Sequence, residues 1–393
     1  MAFELHAEVL DGGEQVTSLV LDAAALSGID PASIDTGTFT VHVAATTPVE
    51  GLAEGQISGI FDGERKVTGT RVDEGRIVLE LESGPGVAGG ATLGYALLAD
   101  PFLAGDGRNL LLNLRYTVTQ NSPFTADGRE VMIDGFAQGA LVNPEVDAFA
   151  AAVSATGLNY RLYSPPDPQG SVPLVMWLHG NGEGGFSPEE YNNESQLRGN
   201  RGAVAYATPE AQQALGGAAF VLAPQVPDSW FNNPAKAYHD DLNALLDEVL
   251  AAHSAIDPRR IYVVGTSAGG FMSIRFAGEH PEKVAAVVPI APALWLTGSG
   301  IRTITEQELL KIQELPTWLI HARNDQVVDY EKSSVWAYDL LKPSGNVELT
   351  SYDDVVWDGV TYTGHESWIP ASRNDPSRDD GLHLWEWLGQ QSK

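Results

Sequence analysis

The chain has 393 residues, of which 43% are hydrophobic and 19% charged, so it can form two packed cores and is too apolar to be disordered. With 52 acidic and 23 basic residues it carries a net charge of −29, which repels phosphate backbones and predicts no nucleic-acid partner. Cysteine is absent, which excludes disulfides, a thiol nucleophile and thiolate metal ligands.

The N-terminal residues and the apolar segments indicate whether the protein spans a membrane or is secreted. The longest apolar stretches, such as 284–293, are about half of what a bilayer-spanning helix needs, so no membrane span is expected. The first residues include Glu4 and lack the basic start and long apolar run of a secretory signal. The protein is then either cytoplasmic or secreted with its signal removed, and of the two we expect the secreted form.

The first third of the chain is patterned with period two. Phe39, Val41 and Val43 alternate with polar residues, and turn sequences such as Asp62-Gly63 separate the runs. This pattern predicts half-buried strands, and we expect an all-β sandwich of immunoglobulin-like size over residues 1–140. The strand count and spacing alone do not determine its topology.

Beyond residue 141 short apolar runs alternate with helical patterns, which is typical of an α/β domain with a mostly parallel sheet. An amphipathic helix is expected over 236–254 and a terminal one over 382–388. The predicted buried strands are 173–179, 219–223, 260–265, 284–290, 317–321 and 347–352.

The sequence G-T-S-A-G around Ser267 is the strongest chemical signal. It follows a predicted strand and precedes a helix-compatible segment, and in that context G-x-S-x-G forms a sharp turn that exposes the serine hydroxyl. The next amide, of Ala268, then lies at a helix N-terminus and can donate to an oxyanion. Ser267 is therefore the candidate nucleophile, with an ordinary glycine-serine turn as the less favoured interpretation.

A serine nucleophile needs a histidine base, expected later in the chain. His321 ends an apolar strand and is expected to pack, and His383 lies in the terminal amphipathic helix. His365 falls in a polar loop after the last strand, where an imidazole can reach the serine. We therefore favour His365, and we interpret His280 only as the end of the helix after Ser267.

The acidic partner has two candidates. Asp325 follows a predicted parallel strand, at the carboxyl end where such sheets place functional groups. Asp329 falls at the start of a helix near Tyr330 and is more simply explained as its N-terminal cap. We favour Asp325.

The loop after the first α/β strand contains Gly180 and Asn181 in H-G-N-G-E-G-G. It also matches G-x-G-x-x-G, but a dinucleotide site would need an immediate helix and a second strand that the sequence lacks. An oxyanion loop is the better interpretation. The sequence has no recognisable metal-ligand spacing, so we expect no metal and no cofactor. Trp230, Phe231 and Trp295 are candidates for an aromatic substrate cleft, with core packing as the equal alternative.

Several segments together resemble the α/β-hydrolase esterases related to polyhydroxybutyrate depolymerases and feruloyl esterases, above all the thermophilic EstA-type esterases with an N-terminal immunoglobulin-like domain. The resemblance implies Ser267 as nucleophile, Asp325 as acid and His365 as base, with oxyanion donors near Asn181 and Ala268. The segments are His179-Gly-Asn-Gly-Glu183, Asn200-Arg-Gly-Ala-Val204, Leu222-Ala-Pro-Gln225, Asp228-Ser-Trp230, Arg260-Ile-Tyr-Val-Val-Gly-Thr-Ser-Ala-Gly-Gly270 and His365-Glu-Ser-Trp-Ile-Pro370.

The sequence thus predicts a serine carboxylesterase acting on a small or polymeric ester through an acyl-enzyme. Two alternatives stay open: a prolyl-oligopeptidase-like serine peptidase, and a polymer-binding or surface-binding protein with a vestigial hydrolase domain. The first 140 residues are too few for the propeller of the peptidase, and a complete set of Ser, Asp and His in the expected order disfavours the second. The acyl group and the oligomeric state are left open.

Overall fold

A computed structural model describes residues 1–47, 49–50, 52, 55–97, 107–185, 191–231 and 238–393. The chain folds into two compact units. The first contains Met1–Leu97, Asn109–Asp147 and the short segment Arg198–Asn200. The second contains, of the described residues, 107–108 and those within Ala148–Leu197 and Arg201–Lys393. Each unit has its own hydrophobic core.

The first unit is built from β-strands. A five-stranded sheet has the order β12-β1-β2-β6-β5 and a three-stranded sheet the order β4-β3-β9, with further pairs β7-β8 and β10-β11. The strands are β1 Ala2–Leu10, β2 Gly13–Asp22, β3 Phe39–Thr46, β4 Phe61–Arg65, β5 Val67–Asp73, β6 Arg76–Leu81, β7 Leu93–Leu97, β8 Gly107–Leu111, β9 Asn113–Gln120, β10 Phe124–Ala126, β11 Arg129–Val131 and β12 Ala137–Val142, followed by helix α1 Pro144–Asp147.

The alternating pattern of the sequence accounts for this core. In β3 the residues Phe39, Val41 and Val43 are buried, whereas Thr40 and His42 between them are partly exposed. Inward residues of both main sheets meet in one cluster, as a sandwich requires. One pairing is unusual for such a unit: β12 runs parallel to β1, whereas β1 pairs antiparallel with β2.

A buried carboxylate lies inside the first unit. The side chain of Glu14 is 0% exposed, and its oxygens accept hydrogen bonds from Thr92 Oγ1 and Asn143 Nδ2, both at 2.5 Å. Arg198 Nη1 donates to the same carboxylate at 2.6 Å. The guanidinium thus supplies the counter-charge that a buried carboxylate needs, and a segment distant in sequence is held in this unit.

We expect Glu14→Ala to destabilise the protein by about 3–5 kcal/mol, because it removes the buried carboxylate that balances the charge of the buried Arg198 guanidinium. The measurement is the midpoint of urea unfolding of the full chain, compared with the wild type. Glu4→Ala, at an exposed position of the adjacent strand β1, is the control and is expected to stay within about 0.5 kcal/mol. Equal midpoints for the two variants would contradict the stabilising role of the buried pair.

The second unit contains a central mixed sheet of order β13-β14-β16-β15-β17-β18-β21-β22. β14 pairs antiparallel with β13 and β16, and the pairs from β16 to β22 are parallel. Its strands, with two small hairpins, are β13 Phe149–Val153, β14 Asn159–Tyr163, β15 Val172–Leu178, β16 Phe220–Gln225, β17 Ile256–Thr266, β18 Ala286–Ile290, β19 Trp295–Leu296, β20 Ile301–Arg302, β21 Thr317–Ala322, β22 Val347–Tyr352, β23 Val356–Trp357 and β24 Val360–Thr361.

Helices flank this sheet. The longest, α4, buries Leu242, Leu245, Leu246 and Val249 along one face, as the amphipathic pattern predicts. The predicted start of this helix at residue 236 lies outside the described residues. The helices are α2 Ser195–Arg198, α3 Pro209–Ala214, α4 Tyr238–Ala252, α5 Ala268–Glu279, α6 Glu306–Leu309, α7 Trp336–Leu341, α8 Trp368–Ala371 and α9 Leu384–Gly389. In the part of the chain that is described, no helix combines the length and the apolar character that a membrane crossing requires.

The six predicted α/β strands are all present, with ends shifted by a few residues. The largest shift is in β17, which is predicted to begin at residue 260 and begins at Ile256. Pro258 does not prevent this earlier start, because proline is tolerated close to the beginning of a strand. The antiparallel hairpin of β13 and β14 was not predicted. Its first strand contains three successive alanines, so it lacks both the buried apolar run and the clear alternation that identify a strand.

Candidate active site

Ser267 lies in a sharp turn between β17 and α5. Its backbone adopts φ 54° and ψ −115°, a strained conformation for a residue with a side chain. The two flanking glycines make the turn possible, because a Cβ on Gly265 would collide with the carbonyl of Gly269, and a Cβ on Gly269 would collide with the carbonyl of Leu178. The geometry is that of the nucleophile elbow expected from the sequence.

His365 and Asp325 lie in hydrogen-bond contact with this serine. His365 Nε2 is 2.9 Å from Ser267 Oγ, and His365 Nδ1 is 2.7 Å from Asp325 Oδ2. A carboxylate only accepts hydrogen bonds, so Nδ1 carries the proton and the Nε2 lone pair faces the hydroxyl. The rings of His365 and Trp368 pack in a T-shaped arrangement with their centroids 5.5 Å apart. This contact limits rotation of the imidazole. The three predicted residues are therefore brought together.

Asp325 follows the end of β21, and its side chain is fully buried. Its Oδ1 accepts the backbone amides of Val327 at 2.7 Å and Val328 at 3.0 Å, while Oδ2 accepts from both His365 and His321. Burial alone would raise the pKa of Asp325, but the hydrogen bonds from His321 and His365 outweigh it and hold that pKa below its ordinary value. The carboxylate therefore remains charged at neutral pH.

His321 is a site residue whose role the sequence did not indicate beyond packing. It is buried in β21, with Nε2 2.9 Å from Asp325 Oδ2 and Nδ1 2.9 Å from Ser334 Oγ. Burial lowers the pKa of His321, so the ring is neutral; Nε2 donates to the carboxylate and Nδ1 accepts from the serine. The available sequence signal is a histidine at a strand end, four residues before Asp325.

The two rival residues lie in other environments. Asp329 Oδ1 accepts the amide of Lys332 at 2.9 Å and Oδ2 pairs with its ammonium at 3.0 Å, the cap expected from the sequence. His383 is exposed at the start of α9, with Nδ1 2.7 Å from the carbonyl of Asn374. Neither residue makes a hydrogen bond to Ser267, His365 or Asp325 among the bonds between described residues.

The predicted oxyanion donors lie on two adjacent segments. Ala268 is the first residue of α5, so its amide has no partner within the helix. Gly180 and Asn181 follow β15, and a tight 3₁₀ turn begins at Asn181. Because Gly269 packs directly on the carbonyls at the end of β15, this loop is held beside the elbow. The positions suit amides that converge on one oxygen, and their role stays a prediction.

His179 fixes the conformation of this loop. It is fully buried, its Nδ1 lies 2.5 Å from the carbonyl of Gly180, and its Nε2 accepts the amide of Val226 at 3.2 Å. Burial lowers the pKa of His179 to about 3, so the ring stays neutral with its proton on Nδ1. A neutral ring with one donor and one acceptor satisfies both backbone groups.

The aromatic candidates occupy different positions. Trp230 is 3% exposed, and its indole nitrogen donates to the carbonyl of His179 at 2.8 Å. This bond helps to hold the start of the loop that contains Gly180 and Asn181. Phe231 is partly buried and packs on Phe271 with ring centroids 4.9 Å apart. Trp295 is partly buried and contacts two cations, Arg302 at 5.3 Å and Lys332 at 4.8 Å. Contact with substrate stays a prediction for all three residues.

Comparisons with known proteins agree with this architecture. Residues 4–132 match the family model described as the esterase Ig-like N-terminal domain, and residues 228–311, which contain Ser267, match the model described as serine aminopeptidase S33. A solved structure described as a thermostable esterase is similar over 100% of this chain and 99% of that chain, with a TM-score of 0.78 and 27% identity.

Two curated relatives match over shorter stretches. A protein described as an esterase, NocK of Nocardia uniformis subsp. tsuyamanensis, is 31% identical over 34% of this chain and 38% of its own length. A peptidase of Bacillus subtilis, YuxL, is 28% identical over 49% of this chain and 27% of its own length. The chain thus spans less than two fifths of either relative.

The fold, the elbow and these likenesses together define an α/β-hydrolase of the esterase class that carries an N-terminal immunoglobulin-like domain. The fold class and the resemblance predicted from the sequence are confirmed. Similarity to the thermostable esterase extends over both units, whereas each family model covers one of them.

Proposed function

We propose that this protein is a serine carboxylesterase in which Ser267 attacks the ester, His365 transfers the proton and Asp325 orients the imidazole. The observation that supports this most strongly is the continuous chain of hydrogen bonds, 2.9 Å from Ser267 Oγ to His365 Nε2 and 2.7 Å from His365 Nδ1 to Asp325 Oδ2. Such a chain supplies the nucleophile, the base and the group that fixes the tautomer of the base.

Acylation follows from these positions. His365 Nε2 takes the Ser267 proton as Oγ attacks the ester carbonyl, and the resulting oxyanion accepts hydrogen bonds from the amide of Ala268 and the Gly180–Asn181 loop. The imidazolium that forms is stabilised by the Asp325 carboxylate. It then gives its proton to the departing alkoxide, which leaves the acyl group on Ser267.

Deacylation repeats the steps with water as nucleophile. His365 removes a proton from a water molecule, the hydroxide attacks the acyl carbonyl, and the proton returns to Ser267 Oγ as the carboxylic acid leaves. The proton transfers use Ser267, His365 and Asp325, which the two hydrogen bonds given above join. No cofactor is needed for these steps.

His321 acts in this scheme as a positioning residue. With its Nε2 proton on Asp325 Oδ2, it fixes the same oxygen that receives the His365 proton, and it withdraws part of the negative charge from that oxygen. The hydrogen bonds from both imidazoles thereby keep the buried carboxylate ionised.

We expect His321→Leu to move the acid limb of the kcat/KM pH profile to higher pH, because the buried Asp325 carboxylate loses a hydrogen-bond donor that lowers its pKa. Asp325 is then protonated at a higher pH, so the orientation that its charge gives to the imidazole is lost earlier on acidification. His321→Gln keeps an N–H near the position of Nε2 and should restore the limb. The measurement is ester hydrolysis between pH 4 and pH 9 for the three proteins. A purely structural role would lower activity in both variants without moving the limb.

The substrate class is tested with a panel offered to the full-length protein. It contains p-nitrophenyl esters of increasing acyl length, a feruloyl ester, a polyester film and a peptide anilide. We expect hydrolysis of one or more esters and none of the anilide. Hydrolysis of the anilide at a comparable kcat/KM would favour a serine peptidase, the activity named for the Bacillus relative. Inactivity towards the whole panel, with binding to the film, would favour the polymer-binding alternative.

A further inference from the structure

Two histidines and an aspartate converge at the end of α5 that is farthest from Ser267. His239 and Asp240 lie in the first turn of α4, and His280 directly follows the last residue of α5. His239 Nδ1 is 3.4 Å and His280 Nε2 is 3.8 Å from the same oxygen, Asp240 Oδ1. One possible ligand atom from each of the three residues lies within 4.8 Å of those of the other two.

Neither nitrogen is used by the rest of the described structure. His239 Nδ1 and His280 Nε2 are both buried as atoms, and the described residues offer neither of them a hydrogen-bond partner of acceptable geometry. Buried polar atoms are nearly always satisfied, so two such nitrogens that face one carboxylate require an explanation. The ring centroids of the two histidines are 5.8 Å apart, with the ring planes tilted by 47°.

The surrounding charges are mixed. Asp240 and Glu279 favour a cation at His239, whereas Arg275 on α5 opposes it. Glu279 is itself paired with Lys311 at 2.8 Å. The Asp240 side chain is 69% exposed and makes the nearest anionic contact, so its charge is available to a ligand.

We propose that His239, Asp240 and His280 form a binding site for a zinc ion. Zinc takes imidazole nitrogens and carboxylate oxygens at about 2.0–2.1 Å, and a tetrahedral ion holds its ligands about 3.4 Å apart. The separations of 3.4 Å and 3.8 Å are close to that edge, so small side-chain rotations complete the site. Two imidazoles favour zinc over magnesium or calcium, and water supplies the fourth ligand.

The ion would connect α4 to α5. The helix α5 has 12 residues and is about 18 Å long, so an ion at its C-terminal end cannot touch Ser267 at the other end. We therefore expect zinc to stabilise the packing of the two helices and to leave ester hydrolysis unchanged. No sequence pattern indicates this site, because His239 and His280 are far apart in the chain and come together only when α4 packs on α5.

The test uses full-length protein without a histidine tag. Zinc chloride is titrated calorimetrically at pH 7.5, and the melting temperature is measured with and without the ion. We expect one ion per chain and a rise of several degrees in Tm. Substitution by cobalt should give the intense visible absorption of a tetrahedral site.

Two variants and one control decide the outcome. His239→Ala and His280→Ala should each weaken zinc binding at least about tenfold, since even the outer partners of a metal ligand contribute that much, and should abolish the rise in Tm. His253→Ala, just after α4, should bind like the wild type. Absence of binding at micromolar zinc, binding that survives in both ligand variants, or binding without a rise in Tm would each overturn the proposal. None of these readouts depends on the esterase mechanism.

Discussion

Ser267→Ala is expected to lower kcat for ester hydrolysis by more than about a thousandfold, because it removes the atom that forms the acyl-enzyme. The oxyanion donors and the substrate contacts remain, so a residual rate above the uncatalysed reaction should persist. Initial rates on the best ester of the panel give the measurement. A variant that retains more than about a thousandth of the wild-type kcat would contradict the assignment of the nucleophile.

The same substitution should leave Tm nearly unchanged. Ser267 Oγ contacts His365, whereas the turn itself is held by backbone bonds from the Ser267 amide to Ile290 and from the Ala293 amide to Ser267. Alanine keeps those bonds. Ser273→Ala on the same helix is the matched control: its buried hydroxyl donates to Gly270 at 2.8 Å, so the variant should lose stability and keep activity.

Local chain geometry explains why the sequence predicted the main site residues. The strand, the turn and the helix around Ser267 are consecutive in sequence, so spacing alone indicates the elbow. Asp325 was recognised because parallel strands present their carboxyl ends at one edge of the sheet. His365 was recognised by elimination, since of the other two downstream candidates one ends a buried strand and one begins the terminal helix.

Features that depend on packing were not predictable in this way. The bond between His321 and Asp325 requires the chain to turn back after β21, and no periodicity encodes that turn. The parallel pairing of β12 with β1 joins strands from opposite ends of the first unit. Arg198 comes from a later part of the sequence and becomes the partner of Glu14 only in the folded chain. Each of these contacts links segments that are separated in sequence or by an irregular loop.

Asp325→Asn is expected to lower kcat by about 10⁴-fold, the second of the two largest effects. An asparagine amide facing His365 would stabilise the tautomer with the proton on Nε2, so the ring could no longer accept the Ser267 proton. Asp329→Asn is the matched control four residues away. It removes the partial pairing with Lys332 and should cost at most about 1 kcal/mol of stability with kcat unchanged. Both variants are measured for kcat and for Tm.

The pH dependence gives a further test of the role of Asp325. The pKa of Asp325 lies below its ordinary value, so the stability and the orientation that this charge provides are present above the ordinary aspartate range and are lost only as the pH falls well below it. In the wild type the charge on Asp325 should therefore still orient the imidazole at pH values where an ordinary aspartate is already protonated. In Asp325→Asn the residual activity should depend on hydroxide and increase with pH. A larger kcat loss in Asp329→Asn than in Asp325→Asn would instead transfer the acidic role to Asp329.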